Sequence, residues 1–549
     1  EMRESDWSSD VCSSDLGRPY HADPLIEHQT SEILADLGVD IVPADTAAEM
    51  VEAQWKALTV VSQWSYPNRL LKAAQWVAAQ KDPDVQLVMI TSFGCGPDAF
   101  IMDEVRDVLA AAGKIFTLIK VDDIASTGSV RLRLRSLVET LRWRPAGEGI
   151  SRAPSVRTPV FTKKDRGRTV IAPYFADCYT PFMPPAFRLL GYEMKVLPPP
   201  DALSVEYGMQ YTNNEVCYPA IVVIGDVIKA FARGGYDPKT TAVVMPQTGG
   251  QCRATSYVPL LKRALVSAGY CDVPVIAAST KKLRTNDQPG FEAHMLRLLK
   301  PAVHALLYAD AVARMYYRSA VRERRPGEAL AVRDRFLKAG ADLIGREKPE
   351  AFLPLLSEAA DAFNAVLADA YPRPRIALVG EIYLKYNAFS HMHIVDWMMS
   401  RNVEVVVPSL FDFFAQYFVN KRENRKNHLV RYSVAAPLEG VGERWIARRY
   451  REYGAALQKF RLYEPSFGIH RKAALASEIV GLVNQYGEGW LIPAEIASLS
   501  AQNVHDVVCV QPFGCIANHV VAKGIERAIK RRYPLTNLLF LDFDAGASE

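Results

Sequence analysis

The sequence contains little cysteine, and the cysteines that it has are far apart. There are 8 cysteines in 549 residues, and no two of them have the Cys-x-x-Cys spacing. Such sparse and scattered cysteines exclude a disulfide framework, a zinc ribbon and a thioredoxin-type motif. Any joint role for these thiols must come from residues that the fold brings together.

The chain also lacks a strong charge imbalance and a long apolar run. Its 65 basic and 61 acidic residues leave a net charge of +4, which gives no support to a nucleic-acid or membrane partner. Charged residues such as Asp226 and Asp412 interrupt the apolar stretches before these reach the roughly 18 residues of a membrane span. At about 150 residues per domain, we expect three to four domains in a soluble, cytoplasmic protein with no nucleic acid and no membrane as partner.

Both ends of the sequence read as incomplete. Residues 1–16, EMRESDWSSDVCSSDL, have neither helical nor strand periodicity and resemble a translated sequencing-adapter remnant. We exclude these residues, Cys12 among them, from the fold prediction. The chain stops at Glu549, shortly after an apolar strand and inside what reads as a functional loop. We therefore expect native sequence to be missing at both ends.

Short apolar runs alternate with amphipathic stretches along most of the chain, which predicts βαβ units and parallel sheets. The predicted fold class is α/β, with repeated Rossmann-like parallel-sheet domains and a helical insertion. The predicted domains are an α/β domain at 17–141, a linker at 142–168, an α/β domain at 169–290, a helical segment at 291–372 and an α/β domain at 373–549. The predicted strands are Val39–Val42, Val85–Ile90, Ile115–Val121, Thr169–Ile171, Glu193–Leu197, Ala242–Met245, Val273–Ala277, Ile376–Val379, Val403–Val407, Val507–Val510 and Asn537–Leu541.

An internal repeat relates the first of these α/β domains to the last. GRPY at 17–20 is echoed by GEIY at 380–383, and a histidine follows each tyrosine by eight positions. FGC at 93–95 is echoed by FGC at 513–515, and an aspartate follows each cysteine by 27 positions. Two matched offsets in the same order predict that one α/β domain is used twice.

Four cysteines occur where a glycine- or proline-containing turn opens a predicted helix: Cys95, Cys217, Cys252 and Cys515. In a parallel sheet such turns lie at the carboxyl edge, where ligands bind in open α/β folds. Helix N-termini also lower a thiol pKa and favour the thiolate that a metal needs. Gly249, Gly250 and Gly514 belong to these turns, and they let the backbone approach a bound group closely.

All of these cysteines but Cys95 suit an iron-sulfur cluster shared between domains. They are separated by 35 and 263 residues, whereas ferredoxin-type sites take their ligands from one short loop. Three thiolates around a four-iron cluster leave one iron open for water or substrate. The alternative is packing, the commoner role of a buried free cysteine. Cys271 and Cys509 fit packing, and Cys178, at a strand end outside any glycine-rich turn, is open to both readings.

Three charged or imidazole side chains near these cysteines are candidate catalytic residues. His519 lies four residues after Cys515, so it could orient a cluster sulfide, pass a proton or simply pack. Glu215 and Arg253 flank predicted ligands, and each could tune the charge of the cluster or cap a helix.

Two further features could form binding sites, but each has an ordinary structural explanation. His391 and His393 could bind a metal, but without a nearby carboxylate or third histidine they fit a loop better. The basic stretch Arg444–Lys472 could meet phosphate groups, although such a charge run is by default a solvated helix face.

Eight segments carry a resemblance to a known family: GRPYHADP at 17–24, SFGCGPDAF at 92–100, RLRLRSL at 131–137, NNEVCYPA at 213–220, QTGGQCRATSY at 247–257, GEGW at 487–490, QPFGCIANH at 511–519 and DFDAGASE at 542–549. Together they resemble the 2-hydroxyacyl-CoA dehydratase family. Within it, the chain is most similar to the large activase-related proteins, in which ATPase modules are joined to dehydratase-like domains. The resemblance covers nearly everything from Gly17 to Glu549.

The resemblance implies a set of metal ligands. Carried over by position, Cys217, Cys252 and Cys515 hold an oxygen-sensitive [4Fe-4S] cluster, or a double cubane as in related proteins. Cys95 belongs to a separate site in an earlier dehydratase-like half. The segment around Cys178 departs from the family's serine-containing version, so this residue is either an extra ligand or a neutral replacement.

The same resemblance implies partners. No G-x-x-x-x-G-K-[ST] phosphate loop occurs in the sequence, so ATP is expected only on an upstream or partner activator module. The leading hypothesis is radical dehydration of a 2-hydroxyacyl-CoA thioester, with the activator reducing the cluster. The alternatives are a double-cubane-type reductase of another small molecule and a non-catalytic electron relay for a partner dehydratase. Whether the chain forms an oligomer is left open.

Overall fold

The structure, a computed structural model, describes residues 20–21, 23, 26–52, 54–55, 58–60, 64–92, 96–121, 127–143, 157–247, 252–279, 286–292, 295–430 and 436–546. These residues fall into two compact units. The first consists of the described residues of Glu1–Arg157, Asn213–Val216 and Lys281–Asn286, and the second of those of Thr158–Thr212, Cys217–Thr280 and Asp287–Glu549. The main boundary between the units, at Arg157, lies inside the predicted linker.

The first unit contains a parallel pair of strands with helices packed against it. The strands pair in register from Leu87 with Phe116 to Ser92 with Val121, and buried positions alternate with half-buried ones along the first strand. Leu71, Val77 and Leu109 supply part of the core. The elements are α1 (Thr30–Asp36), α2 (Ala44–Glu49), α3 (Ser65–Ala79), β1 (Leu87–Ser92), α4 (Gly96–Ala99), α5 (Met102–Ala111), β2 (Phe116–Val121) and α6 (Thr127–Arg142).

The second unit begins with a four-stranded parallel sheet. Three of its strands, Thr169–Ala172, Thr241–Pro246 and Val275–Ala278, are short, apolar and buried on both faces, as expected of a sheet covered by helices. The edge strand Met194–Val196 exposes Lys195. The elements are β3 (Thr169–Ala172), α7 (Met183–Leu189), β4 (Met194–Val196), α8 (Ala202–Tyr211), α9 (Tyr218–Ala232), β5 (Thr241–Pro246), α10 (Tyr257–Ser267) and β6 (Val275–Ala278).

Three long helices follow, in the predicted helical segment: α11 (Met295–Ala320), α12 (Glu328–Gly345) and α13 (Phe352–Val366). Their apolar faces form a core around Tyr308, Phe352 and Phe363, each of which is fully buried. Amphipathic spacing of Leu, Ala and Phe explains why these segments are helical and why they pack together.

The chain then returns to alternating strands and helices and forms a second four-stranded parallel sheet. The elements are β7 (Arg375–Gly380), α14 (Ile382–Tyr386), α15 (Ile394–Met399), β8 (Glu404–Val406), α16 (Leu410–Lys426), α17 (Ala436–Leu457), α18 (Ile469–Ser477), α19 (Leu491–Ser500), β9 (Asp506–Pro512), α20 (Ile516–Val521), α21 (Glu526–Arg532) and β10 (Asn537–Phe543). The predicted α/β class with parallel, Rossmann-like sheets is therefore confirmed.

The two four-stranded sheets have the same strand order. The first is ordered β4-β3-β5-β6 and the second, read from its β8 edge, β8-β7-β9-β10. In each sheet the first strand lies between the second and the third. A crevice opens at the carboxyl ends of the first and third strands of such a sheet, because the connections leave in opposite directions there. The sequence repeat did not reveal this likeness between 169–290 and 373–549.

One predicted strand is wrong. Residues 39–42 are coil, and Ile41 and Val42 are 45% and 52% exposed. By the offset of the sequence repeat they correspond to β8, which pairs with Arg375–Ala377 of β7. The residues that would correspond to β7 lie before Tyr20, outside the described residues. The other ten predicted strands are confirmed to within two residues at every end.

Two glycines bring α8 and α9 into backbone contact. A Cβ atom added to Gly225 would overlap the Ser204 carbonyl oxygen and would lie 2.8 Å from Gly208 Cα. Beside this contact the buried carboxylate of Asp226 accepts hydrogen bonds from Ser204 Oγ and Lys229 Nζ, both at 3.0 Å. The close packing fixes the position of α9, the helix that begins directly after Cys217.

Candidate functional site

Three of the predicted ligands, all in the second unit, immediately precede helical segments. Cys217 is the N-cap of α9, Cys515 is the N-cap of α20, and Cys252 is the N-cap of the short 3-10 helix Arg253–Ser256 that leads into α10. At all three positions the side chain makes no capping hydrogen bond. The sulfur atoms are therefore available to other partners.

The fold brings these three thiols together. The Tyr257 hydroxyl, at the start of α10, lies 2.9 Å from Cys217 Sγ. Cys252 interacts electrostatically with both Cys217 and Cys515. The guanidinium of Arg253 interacts electrostatically with all three sulfurs.

Strand order explains why residues so distant in sequence meet. Cys252 follows β5 and Cys515 follows β9, which are the third strands of their respective sheets. Glu381 directly follows β7, the neighbour of β9, and its backbone N–H donates to the Val510 carbonyl at 3.0 Å. These residues therefore lie at the crevices where open α/β sheets bind ligands.

The segment GEGW at 487–490 forms a wall of the same site. Gly487 has a φ of 62°, and a Cβ atom on it would lie 3.7 Å from Cys252 Sγ and 3.6 Å from Ala517 Cβ. Glycine adopts this left-handed backbone without strain. Its missing side chain leaves room beside the Cys252 sulfur.

Two carboxyl groups, of the buried Glu488 and the half-buried Glu381, lie close to the thiols. Glu488 accepts a hydrogen bond from the Ile382 backbone N–H at 2.8 Å, and Glu381 accepts one from the Leu384 N–H at 2.9 Å. Burial, reinforced by the nearby Glu488 carboxyl, raises the pKa of Glu381 to about 8. Burial also raises the pKa of Glu488. Both carboxyl groups therefore keep a proton to higher pH than an exposed glutamate does.

Two of the thiols, those of Cys252 and Cys515, differ from the sequence-based expectation of a lowered pKa. Burial, with a contribution from Glu488, raises the pKa of Cys252 well above its ordinary value, and burial raises that of Cys515 to about 11. Desolvation penalises the thiolate more than the backbone N–H groups of Ala254 and Asn518 favour it. Metal binding at these sulfurs must therefore displace protons.

Arg253 supplies the compensating charge. Burial opposes its positive charge, but Cys217, Cys515 and Tyr257, which become negative when they lose their protons, more than offset this and raise its pKa. The same guanidinium lowers the pKa of Cys515. Of the two roles considered for Arg253, the structure favours tuning of charge at the sulfurs.

Glu215 and His519 have other partners. Glu215, in the first unit, forms an ion pair with Lys120, and its backbone N–H donates to Asn213 Oδ1 at 2.8 Å. His519 Nε2 lies 3.0 Å from Asp542 Oδ1 at the end of β10. His519 therefore holds the aspartate that follows Cys515 by 27 positions.

Three other described cysteines lie apart from this arrangement or only support it. Cys178 packs into the core of the helical segment, where burial raises its pKa to about 12. Cys271 is half-buried near the start of β6, and Cys509 is fully buried inside β9. The charged groups that act on Cys178 are Arg333, Asp177, Asp334 and Asp310, so the structure gives it different neighbours from the three predicted ligands.

The H-x-H pair does not converge on one point. The buried ring of His391 accepts a hydrogen bond from the Ile394 N–H at 3.2 Å through Nδ1. His393 Nδ1 instead lies 3.1 Å from Asp396 Oδ2. The pair forms part of a loop, as the sequence reading preferred.

The basic stretch Arg444–Lys472 is only partly a solvated face. Lys472 is buried and donates to Asp412 Oδ2 at 2.6 Å. It also lines a cavity with Arg314, Arg318 and Arg375. At this cavity Glu464 forms ion pairs with Arg318 at 2.7 Å and with Arg375 at 2.8 Å. These pairs offset much of the positive charge of the cavity lining.

Several predicted positions lie outside the described residues, namely Cys95, Gly249 and Gly250. Gly514 is described and has a φ of 69°, which requires glycine-like freedom. In the described part of the chain, no group of three or more His, Cys, Asp or Glu side chains is arranged to hold a metal ion. In an iron-sulfur cluster each cysteine binds a different iron, so the ligand sulfurs need not surround one point.

Sequence reasoning missed Tyr257, Glu381 and Asn518 as members of the site. All three lie within or next to segments with a recognisable motif, namely QTGGQCRATSY, GEIY and QPFGCIANH. Position in a motif was the one available signal for Tyr257 and Glu381, because their contacts with Cys217 and Val510 join residues 40 and 129 positions apart. Asn518 lies only three residues after Cys515, so its spacing on a helix was a local signal.

No helix among the described residues is long and apolar enough to cross a bilayer. No protein-family model matches the chain, and no curated protein is significantly similar to it in sequence.

Proposed function

We propose that this chain is an iron-sulfur redox protein of the 2-hydroxyacyl-CoA dehydratase/activase type, with Cys217, Cys252 and Cys515 holding a [4Fe-4S] cluster. The observation that carries the proposal is the convergence of three helix-opening cysteines on one buried guanidinium. This convergence occurs where parallel α/β sheets bind ligands.

The residues fit such a group in three respects. Thiolates are the ligands that iron-sulfur clusters take, and none of these three thiols is used in a helix cap. The missing side chain of Gly487 leaves space directly beside Cys252 Sγ. Arg253 provides a positive charge for the negative charge that thiolate ligands bring.

When bound, a cluster of this type supplies the single low-potential electron by which dehydratase chemistry expels the 2-hydroxyl group of an acyl-CoA thioester. The surrounding residues supply charge near the sulfurs and a site for a proton. Arg253 favours the anionic state of the sulfurs, and Glu488 places a carboxyl group near Cys252. Glu381, with a pKa of about 8, can hold or release a proton at its carboxyl oxygen near neutral pH.

The test is iron and sulfide analysis of the anaerobically reconstituted chain, with EPR of the reduced form. The proposal predicts about four irons per chain for one cubane, or about eight for two clusters or a double cubane. Cys217→Ser, Cys252→Ser and Cys515→Ser should each lose iron and the EPR signal. Cys271→Ser removes a thiol of similar burial outside the site and should keep both. If all three ligand variants retain the iron of the unmodified chain, the proposal is wrong.

A second measurement separates the dehydratase reading from its alternatives. Addition of a 2-hydroxyacyl-CoA thioester to the loaded protein should change the EPR spectrum if the thioester binds beside the cluster. A cluster that is present but indifferent to acyl-CoA supports a reductase of another small molecule. Turnover that appears only after a separate dehydratase is added supports an electron relay.

A further inference from the structure

Asn518 connects a predicted ligand to a buried thiol that is not one. Its side chain is fully buried in α20, three residues after Cys515. Asn518 Nδ2 lies 3.2 Å from Cys515 Sγ, and Asn518 Oδ1 lies 3.9 Å from Cys509 Sγ. The i, i+3 spacing on a helix brings the amide over the sulfur.

Cys509 determines which way this amide faces. A carboxamide has one accepting and one donating end, and its hydrogen-bond partners decide its orientation. Cys509 lies fully buried in the interior of β9, and as a neutral thiol it offers an S–H donor. The amide oxygen therefore faces Cys509, which leaves the N–H group to donate to the Cys515 sulfur.

A second side chain, that of Tyr257, donates a hydrogen bond to the sulfur of another predicted ligand. The Tyr257 hydroxyl lies 2.9 Å from Cys217 Sγ, and a phenol is protonated at neutral pH. A cluster-bound thiolate has no proton to give, so in the loaded protein the hydroxyl is the donor and the sulfur the acceptor. Two of the three ligand sulfurs thus each receive a hydrogen bond from a side chain.

We propose that Asn518 and Tyr257 are positioning residues that set the reduction potential of the cluster, and that Cys509 acts through Asn518. This inference rests on the proposed function. Reduction adds one electron to the cluster without making or breaking a bond, and the added negative charge resides partly on the sulfurs. Hydrogen bonds to those sulfurs stabilise the reduced state and raise the potential.

The experiment is an anaerobic redox titration of the reconstituted chain, followed by EPR, with iron counted in every sample. Asn518→Leu and Tyr257→Phe each remove one donor while keeping the approximate shape. Each should shift the midpoint potential to a more negative value, and the double variant should shift it by about the sum. Tyr270→Phe, which removes the hydroxyl of a ring packed on Phe231 beside Cys271 and not beside a predicted ligand, should leave the potential unchanged.

Substitutions of Cys509 test this role directly, because a merely structural thiol should not affect the midpoint potential. Cys509→Ser keeps a donor for Asn518 Oδ1 and should retain the potential, whereas Cys509→Ala should shift it in the direction of Asn518→Leu. If Asn518→Leu does not load iron, Tyr257→Phe and the Cys509 pair still decide the question. Potentials equal to that of the unmodified chain in fully loaded variants would overturn this inference alone. An unmodified chain that takes up no iron would overturn the proposed function as well.

Discussion

The close contact between α8 and α9 predicts that one methyl group added at Gly225 destabilises the fold. Gly225→Ala adds a Cβ that would lie 2.8 Å from Gly208 Cα, against about 3.5–4.0 Å for an ordinary carbon contact. The same atom would overlap the Ser204 carbonyl oxygen. Because the obstacles are backbone atoms, no rotamer change relieves them, and the two helices must separate by roughly 1 Å.

We expect this substitution to lower the free energy of unfolding by about 3 kcal/mol, the upper end of the usual cost of overpacking. The separation also weakens the buried hydrogen bonds of Asp226 with Ser204 and Lys229. The matched control is Gly454→Ala in α17, where the new Cβ would meet Tyr463 Oη at an ordinary 3.7 Å. There the lower backbone entropy of alanine should stabilise the helix by about 0.5–1 kcal/mol.

Urea unfolding followed by circular dichroism measures both variants against the unmodified chain. The two glycine-to-alanine changes should have opposite signs and differ by about 4 kcal/mol, the sum of the overpacking cost and the helix gain. A loss below 1 kcal/mol for Gly225→Ala would refute the backbone-contact argument. It would mean that the helices have room for a side chain.

Two further predictions concern buried side chains that can carry a charge. Lys385 and Glu495 form a buried ion pair, with Lys385 Nζ at 2.9 and 3.2 Å from the two carboxylate oxygens; Lys385→Met should cost about 3–5 kcal/mol, because it leaves a buried carboxylate without its partner. Adding Glu495→Leu to that variant should recover most of the loss in the same unfolding assay, and no recovery would contradict the account. Burial lowers the pKa of His304 from 6.5 to about 4, so the unfolded chain binds a proton more readily than the folded chain. The contribution of His304 to the free energy of unfolding is therefore complete above pH 6.5 and is lost as the pH falls towards 4. Between pH 7 and pH 5 this linkage should remove about 2 kcal/mol, and His304→Phe should show a shallower decline over that range; an unchanged decline would mean that this histidine is not held neutral by the fold.

Local patterns in the sequence were sufficient for the strands, the helical insertion and the cysteine-bearing turns. A run such as Ala242–Met245 forms a strand because it is short, apolar and bounded by turn residues. The helix after Cys217 was predicted from an apolar stretch with proline in its first turn, and it begins at Tyr218. In both cases neighbouring residues carry the information. Residues 39–42 have the pattern of a strand but are coil, because a strand also needs a partner strand and none of the described residues pairs with them.

The sequence by itself determined the parallel α/β class and which cysteines open helices, since periodicity and turn chemistry are properties of adjacent residues. Only the tertiary structure decided which of those cysteines meet. It gave both four-stranded sheets one strand order, brought Cys217, Cys252 and Cys515 together around Arg253, and gave Cys178 other neighbours. It also reversed the expected direction of the pKa shifts of Cys252 and Cys515, because desolvation depends on how deeply a sulfur is buried. Burial is produced by segments far apart in the chain, so no local motif could have indicated it.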